Sequence, residues 1–225
     1  MLNPLELTGR ASTHVEEVPE LGCTVHRSML DPLRAMVARA RADGLEIAIA
    51  SSFRPFQRQV DIWNAKYRGE RALYARDGRR LEHALLDPSA LIDAILAWSA
   101  LPGASRHHWG TDIDVVDGSV VAAGYKAQLL PHEFAPGGVF AGLDAWITAN
   151  AARFGFFRPY RTDRGGVQPE AWHLSFAPAA SPALATFSLE VLIEAVASST
   201  VLGREGVLAR LPEIYERYVM RIDPP

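Results

Sequence analysis

Strand-like and helix-like apolar patterns follow one another in this chain without regular alternation, and that irregular order limits its fold more than any other feature. Leu45 to Ser52 reads as a mostly buried strand, and Thr111 to Val116 as a second one ended by a hairpin turn at Asp117-Gly118. Around them apolar residues return at helical spacing. Leu33, Met36, Val37 and Ala40 share one face of a helix from about Asp31 to Ala42, with Asp31 as its cap, Pro32 at its first position and Gly44 as its stop. Val60, Ile62 and Trp63 mark a helix from Phe56 to Lys66, and Leu91, Ile92, Ile95 and Trp98 mark one opened by Asp87-Pro88. A further helix runs from about Leu143 to Phe154. Residues 68–86 are charged and lack clear periodicity, and they read as a helical excursion over the domain. A short strand at Leu174 to Phe176 and two C-terminal helices, near 182–198 and 207–218, complete the pattern. A doubly wound sheet needs strands and helices in strict turn, so this order favours an α+β layer.

The length and composition suit one compact domain spanning 1–225. The chain has 225 residues, 48% hydrophobic and 22% charged, enough to bury a sizeable core without disulfides. Cys23 is the single cysteine, which excludes an intrachain disulfide and a cysteine metal site. A net charge of -3 gives no overall footprint for nucleic acid. Locally the balance differs. Arg54, Arg58, Lys66, Arg68, Arg71, Arg76, Arg79 and Arg80 face only Asp61, Glu70 and Asp77 in sequence, a patch that either attracts an anionic substrate or forms a solvated helical face. The first residues lack a basic stretch followed by an apolar one, and no apolar run nears the roughly 20 residues of a membrane span. The expectation is a cytoplasmic protein without a membrane span, or a periplasmic one if a leader has been removed.

Two stretches carry chemistry: Ser105-Arg-His-His-Trp-Gly-Thr-Asp-Ile-Asp114 and Glu170-Ala-Trp-His173. On a strand, Asp112 and Asp114 share a face while Ile113 points to the core. Two neighbouring carboxylates repel unless a cation or a proton lies between them. Gly110 lets the backbone turn so that His107 folds back toward Asp114, with His108 as the competing histidine. A bend after Pro169 brings Glu170 and His173 to one cleft, although three residues apart on a regular strand they would face opposite sides. Three mixed His and Asp ligands with an unligated glutamate suit a catalytic zinc site. Non-haem iron also takes two histidines and a carboxylate, but the seven-residue spacing from His107 to Asp114 departs from its usual pattern. At the strand-to-helix turn Ser51-Ser-Phe-Arg54, an arginine can grip a substrate carboxylate in bidentate fashion.

The ordered set Ser51-x-x-Arg54 with Gln59, Ser105-x-His107-x-x-Gly110-x-x-x-Asp114 and Glu170-x-Trp172-His173 resembles the VanY-type D-alanyl-D-alanine carboxypeptidases of the M15 metallopeptidases. The resemblance covers about 45–176. It implies a small antiparallel sheet flanked by helices, as in VanY and hedgehog-like folds, with the helices of about 182–222 as an extension. It implies Zn2+ held by His107, Asp114 and His173, with Glu170 as catalytic base. Arg54 would hold the substrate's terminal carboxylate or stabilise the oxyanion, and Gln59 and Ser105 would line the substrate site. The implied substrate is a peptidoglycan stem peptide or muropeptide that loses its terminal D-alanine, with L,D-cleavage of tetrapeptides favoured over D,D-cleavage of pentapeptides. A lysin-like endopeptidase and a non-catalytic zinc-stabilised muropeptide-binding module are the alternatives. Asp112 departs from the small residue common in the family, so it either bonds a ligand histidine or alters metal preference.

Overall fold

The computed structural model describes all 225 residues. A short helix α1 (Pro4–Leu7) precedes the hairpin of β1 (Val15–Val18) and β2 (Cys23–His26). Next come α2 (Leu30–Ala42), β3 (Ile47–Ser51), α3 (Phe56–Tyr67), the minimal hairpin β4 (Leu73–Tyr74) and β5 (Arg80–Leu81), and α4 (Pro88–Leu96). The central strand β6 (Asp112–Asp117) leads into α5 (Gly118–Ala122), α6 (Pro131–Phe134) and α7 (Ala141–Asn150). Strands β7 (Phe156–Phe157) and β8 (His173–Phe176) precede α8 (Ala177–Thr186), α9 (Leu189–Ala197), α10 (Arg204–Ala209) and α11 (Leu211–Ile214). No single helix is long and apolar enough to cross a membrane.

The main sheet is antiparallel, in the order β3-β6-β8-β7, with helices on both faces. That is the α+β architecture the sequence pattern favours. Alternation along β6 and β8 gives the sheet one apolar face and one polar face. Ile113, Val115 and Leu174 join Leu33, Met36, Val37, Leu143 and Ile147 in a core of 18 buried residues beneath the sheet. Asp112, Asp114, His173 and Ser175 emerge on the other face and are nonetheless buried, because a second core of 26 buried residues closes over them. That second core is built from α3, α4 and α8 to α11, with Trp63, Ile92, Ile95, Leu192 and Ile214 at its centre.

Four expectations fail locally, the first being the helix near 182–198, which is two helices, α8 and α9, separated at Phe187-Ser188. Residues 68–86 form the β4–β5 hairpin and a 3-10 turn, not a helix, because two-residue strands leave no periodicity to read. Asp117-Gly118 does not turn a hairpin: the Asp117 carboxylate accepts the Ser119 N–H and caps α5. Asp31 does not cap α2, which begins at Leu30 and continues directly from a preceding 3-10 turn. Packing of Met29 and Leu33 into the lower core outweighs the capping signal there.

Candidate metal centre and substrate cleft

Strand register assembles the site. Asp114 on β6 stands opposite His173 on β8 and opposite Ser51 on β3, while Asp112 stands opposite Ser175. Directly opposed residues lie within side-chain contact, so residues distant in sequence meet here without any long side-chain reach. His107 sits on the 3-10 turn Arg106–Trp109, which Gly110 closes at φ +66. A Cβ at Gly110 would come 2.4 Å from Val15 Cγ1 and 2.9 Å from the His26 nitrogen, so only glycine permits both the turn and its packing on the β1–β2 hairpin. Glu170 precedes β8 at a turn in which the His173 N–H donates to the Glu170 carbonyl at 3.2 Å. That bend brings Glu170 Oε2 to 3.4 Å from His173 Nδ1, which a regular strand would forbid.

His107, Asp114 and His173 place their ligand atoms within 4.8 Å of one another. The partners of each imidazole decide what those atoms can do. His107 Nδ1 lies 3.0 Å from the Ser52 carbonyl and 3.2 Å from the Asp112 carbonyl, both acceptors, so Nδ1 carries the proton. Burial holds this imidazole neutral, against the pull of Asp114. Its Nε2 lone pair therefore faces Asp114 Oδ2 at 3.3 Å. A lone pair and a carboxylate oxygen at that distance repel unless a cation lies between them. His173 is set the same way: Nε2 donates to Asp112 Oδ1 at 3.0 Å, leaving Nδ1 directed at Asp114 and Glu170. Asp114 Oδ1, 3.1 Å from that Nδ1 but out of line for a hydrogen bond, is buried and has no donor. An orphaned buried carboxylate oxygen with two inward imidazole nitrogens is a donor set that fits zinc.

The electrostatics agree. Despite burial, Asp114 stays well below the usual carboxylate range because His107 and His173 flank it. Asp112 is likewise depressed, by the Arg106 guanidinium, His173 and the Thr111 hydroxyl. Burial opposes a charge on His173, yet the Asp112 and Asp114 carboxylates outweigh it and carry the imidazole up to about 10. The pocket thus demands positive charge at one point, which a proton or a metal ion meets. Glu170 behaves differently: burial and then Asp114 push its carboxyl up to about 7, against His173, Lys66 and Arg54.

Around the centre lies a cleft of about 340 Å³ lined by Arg54, Ser105, His107, Asp114, Glu170 and His173. Arg54 is fixed at one wall, its Nη1 donating to Gln59 Oε1 at 2.9 Å and its Nη2 to Ser51 Oγ at 2.7 Å. Gln59 is fully buried and donates to the Ala100 carbonyl at 2.7 Å. This corrects its expected place in the substrate site: it positions Arg54 and does not face the cleft, because α3 turns it toward Ala100. Ser105 does line the cleft.

The two residues left open at the motif now have places. His108 points away from the centre. Its Nδ1 donates to the Arg54 carbonyl at 2.6 Å and its Nε2 accepts the Gly103 N–H at 3.2 Å, while burial pushes it down to about 3 and keeps it neutral. It ties the backbone of the arginine loop to that of the histidine loop. Asp112 holds His173 and is itself held by Arg106 Nε at 2.8 Å and Thr111 Oγ1 at 2.6 Å. Sequence reasoning missed Arg106, which also donates to Ser175 Oγ at 2.6 Å and lies 4.8 Å over the Trp109 ring. It missed Tyr160 as well, whose ring packs edge-on against His173 at 5.1 Å. Arg106 lies beside His107 inside the motif, and only the fold, which sets Asp112 opposite Ser175, shows that it reaches both.

A family model described as VanY, D-alanyl-D-alanine carboxypeptidase, matches residues 22–179. An uncharacterized protein of Haemophilus influenzae is 34% identical over 122 residues, 53% of this chain and 93% of that protein. A D-alanyl-D-alanine carboxypeptidase of Enterococcus faecalis is 26% identical over 147 residues, 64% of this chain and 45% of that protein. Among solved structures, a VanY vancomycin-resistance D,D-pentapeptidase in complex with Zn(II) aligns with a TM-score of 0.53 at 24% identity, covering 76% of this chain and 83% of that one. The LdcB LD-carboxypeptidase, a structure described as revealing peptidoglycan recognition, aligns with a TM-score of 0.53 at 18% identity, covering 94% of this chain and 81% of that one. At these identities the structural matches show a shared fold.

Proposed function

Because the chain belongs to the VanY D-alanyl-D-alanine carboxypeptidase family, we propose that it is a zinc-dependent carboxypeptidase that releases the terminal D-alanine from peptidoglycan stem peptides, with the L,D bond of tetrapeptides as its preferred target. The observation that carries this reading is the inward His107 Nε2 lone pair set 3.3 Å from Asp114 beside an unligated Glu170. A purely structural metal would need the ligands but not the spare glutamate.

His107, Asp114 and His173 would hold the metal. When bound, zinc supplies Lewis acidity that polarises a carbonyl and brings the pKa of water to about 7. Arg54, locked by Gln59 and Ser51, receives the substrate's terminal carboxylate and fixes the peptide's C-terminus at one end of the cleft. Glu170 removes a proton from the attacking water and returns it to the leaving D-alanine amine. A carboxyl near 7 suits both halves of that task, since it gives and takes a proton at similar cost. Asp112 keeps the His173 ring oriented throughout.

Mass spectrometry of matched tetrapeptide and pentapeptide muropeptides after incubation with the zinc-loaded protein tests the reading. Tetrapeptide shortened by one D-alanine is the expected product. Cleavage of the pentapeptide alone would reverse the bond preference, and internal fragments would make the protein an endopeptidase.

A further inference from the structure

A carboxypeptidase substrate brings one obligatory carboxylate, and Arg54 suffices for it. The cleft nevertheless holds two more cations. Of the basic run noted in the sequence, Lys66 and Arg71 line the cleft together with Tyr74, Glu170 and the metal-binding residues. Elsewhere in the run, Arg68 pairs with Glu70 at 2.6 Å and Arg76 with Asp163 at 2.6 Å, and Arg58, Arg79 and Arg80 lie outside the cleft. Lys66 sits at the end of α3, partly buried, and the only acid that acts on it is Glu170, while Arg71 and Arg54 repel it. Neither Lys66 nor Arg71 has a hydrogen-bond or ion-pair partner within the protein. Burial pushes the Lys66 ammonium down to about 8, so it remains mostly charged at neutral pH. An ammonium kept in a cleft without a partner costs free energy that an incoming anion recovers.

We propose that Lys66 and Arg71 form a second anion subsite, which takes a side-chain carboxylate on the substrate residue that donates the acyl half of the cleaved bond. The inference rests on the carboxypeptidase reading above. Arg54 fixes the terminal carboxylate of the leaving residue, and Glu170 marks the scissile bond between them. Lys66 and Arg71 line the same cleft as Arg54 and Glu170, and a leaving D-alanine has no second carboxylate, so an anion met by these two cations belongs to the acyl side of that bond. The enzyme therefore selects peptides whose residue before the terminal D-alanine is itself acidic on its side chain.

Two tetrapeptides that differ only in the third residue test this: one with diaminopimelate, which carries a side-chain carboxylate, and one with lysine, which does not. For the zinc-loaded wild type, kcat/KM should favour the diaminopimelate peptide by roughly tenfold or more, the scale of one charge-assisted contact. Lys66→Gln should bring that ratio toward one, chiefly through KM, and Lys66→Arg should keep it. Arg71→Gln, at an exposed position, should lower the ratio in the same direction. A wild-type ratio near one, or a ratio unchanged in Lys66→Gln, would overturn the inference. So would an equal fall on both peptides, which would place Lys66 in the support of Glu170 instead. D-alanine release from neither peptide would overturn the carboxypeptidase reading itself, and this inference with it.

Discussion

Asp112 decides how firmly His173 is presented, and it does so from inside a closed network of Arg106, Thr111 and His173. Asp112→Asn keeps the shape but weakens the hold on the imidazole. Zinc affinity, measured by competition with a chelator, should fall about 10- to 100-fold. His107→Ala removes a ligand outright, and metal analysis should find the zinc lost; a variant with full zinc content would show that His107 is not a ligand. Glu170→Ala should bind zinc as the wild type does while D-alanine release drops by about 10²- to 10⁴-fold. The grouping of His107, Asp114 and His173 was legible in the sequence because two short motifs carry all three side chains. Gln59 was not, since a glutamine that faces a substrate and one that steadies an arginine read alike. Only its full burial against Ala100 tells them apart.

At the scale of elements, the site depends on the register of β6 with β8 and on the turn that returns His107 to β6. A one-residue slip of β6 would put Ile113 where Asp114 now stands and send Asp112 and Asp114 to the wrong face. Gly110 guards the turn. Gly110→Ala adds a methyl group at positive φ against Val15, and should cost about 2–4 kcal/mol from left-handed strain and overpacking together. Urea denaturation reads this directly, and a change below about 0.5 kcal/mol would contradict the account of the turn. The long strands and the apolar helices were readable from periodicity. The β4–β5 hairpin was not, because its strands are two residues long. The same limit hid Lys66 and Arg71: sequence shows the charge run, and only the fold shows that these two join Arg54 along the cleft.

On the scale of the whole molecule, two apolar cores hold a buried polar layer between them. Burying Asp112, Asp114 and three basic or imidazole groups there costs solvation that only mutual pairing and a cation offset. A zinc ion bound to the folded state alone should therefore stabilise the protein, by about 4 kcal/mol when free zinc is 1,000 times its dissociation constant. Thermal unfolding should show a higher Tm with zinc than after chelation, and His107→Ala should lose that difference.

The most direct test of the central claim is the rate of D-alanine release from a tetrapeptide muropeptide, followed before chelation, after chelation and after zinc is returned. Release that stops with the chelator, resumes with zinc and stays absent in zinc-loaded Glu170→Ala is the predicted result. Release that continues undiminished in the chelated protein or in Glu170→Ala would contradict it.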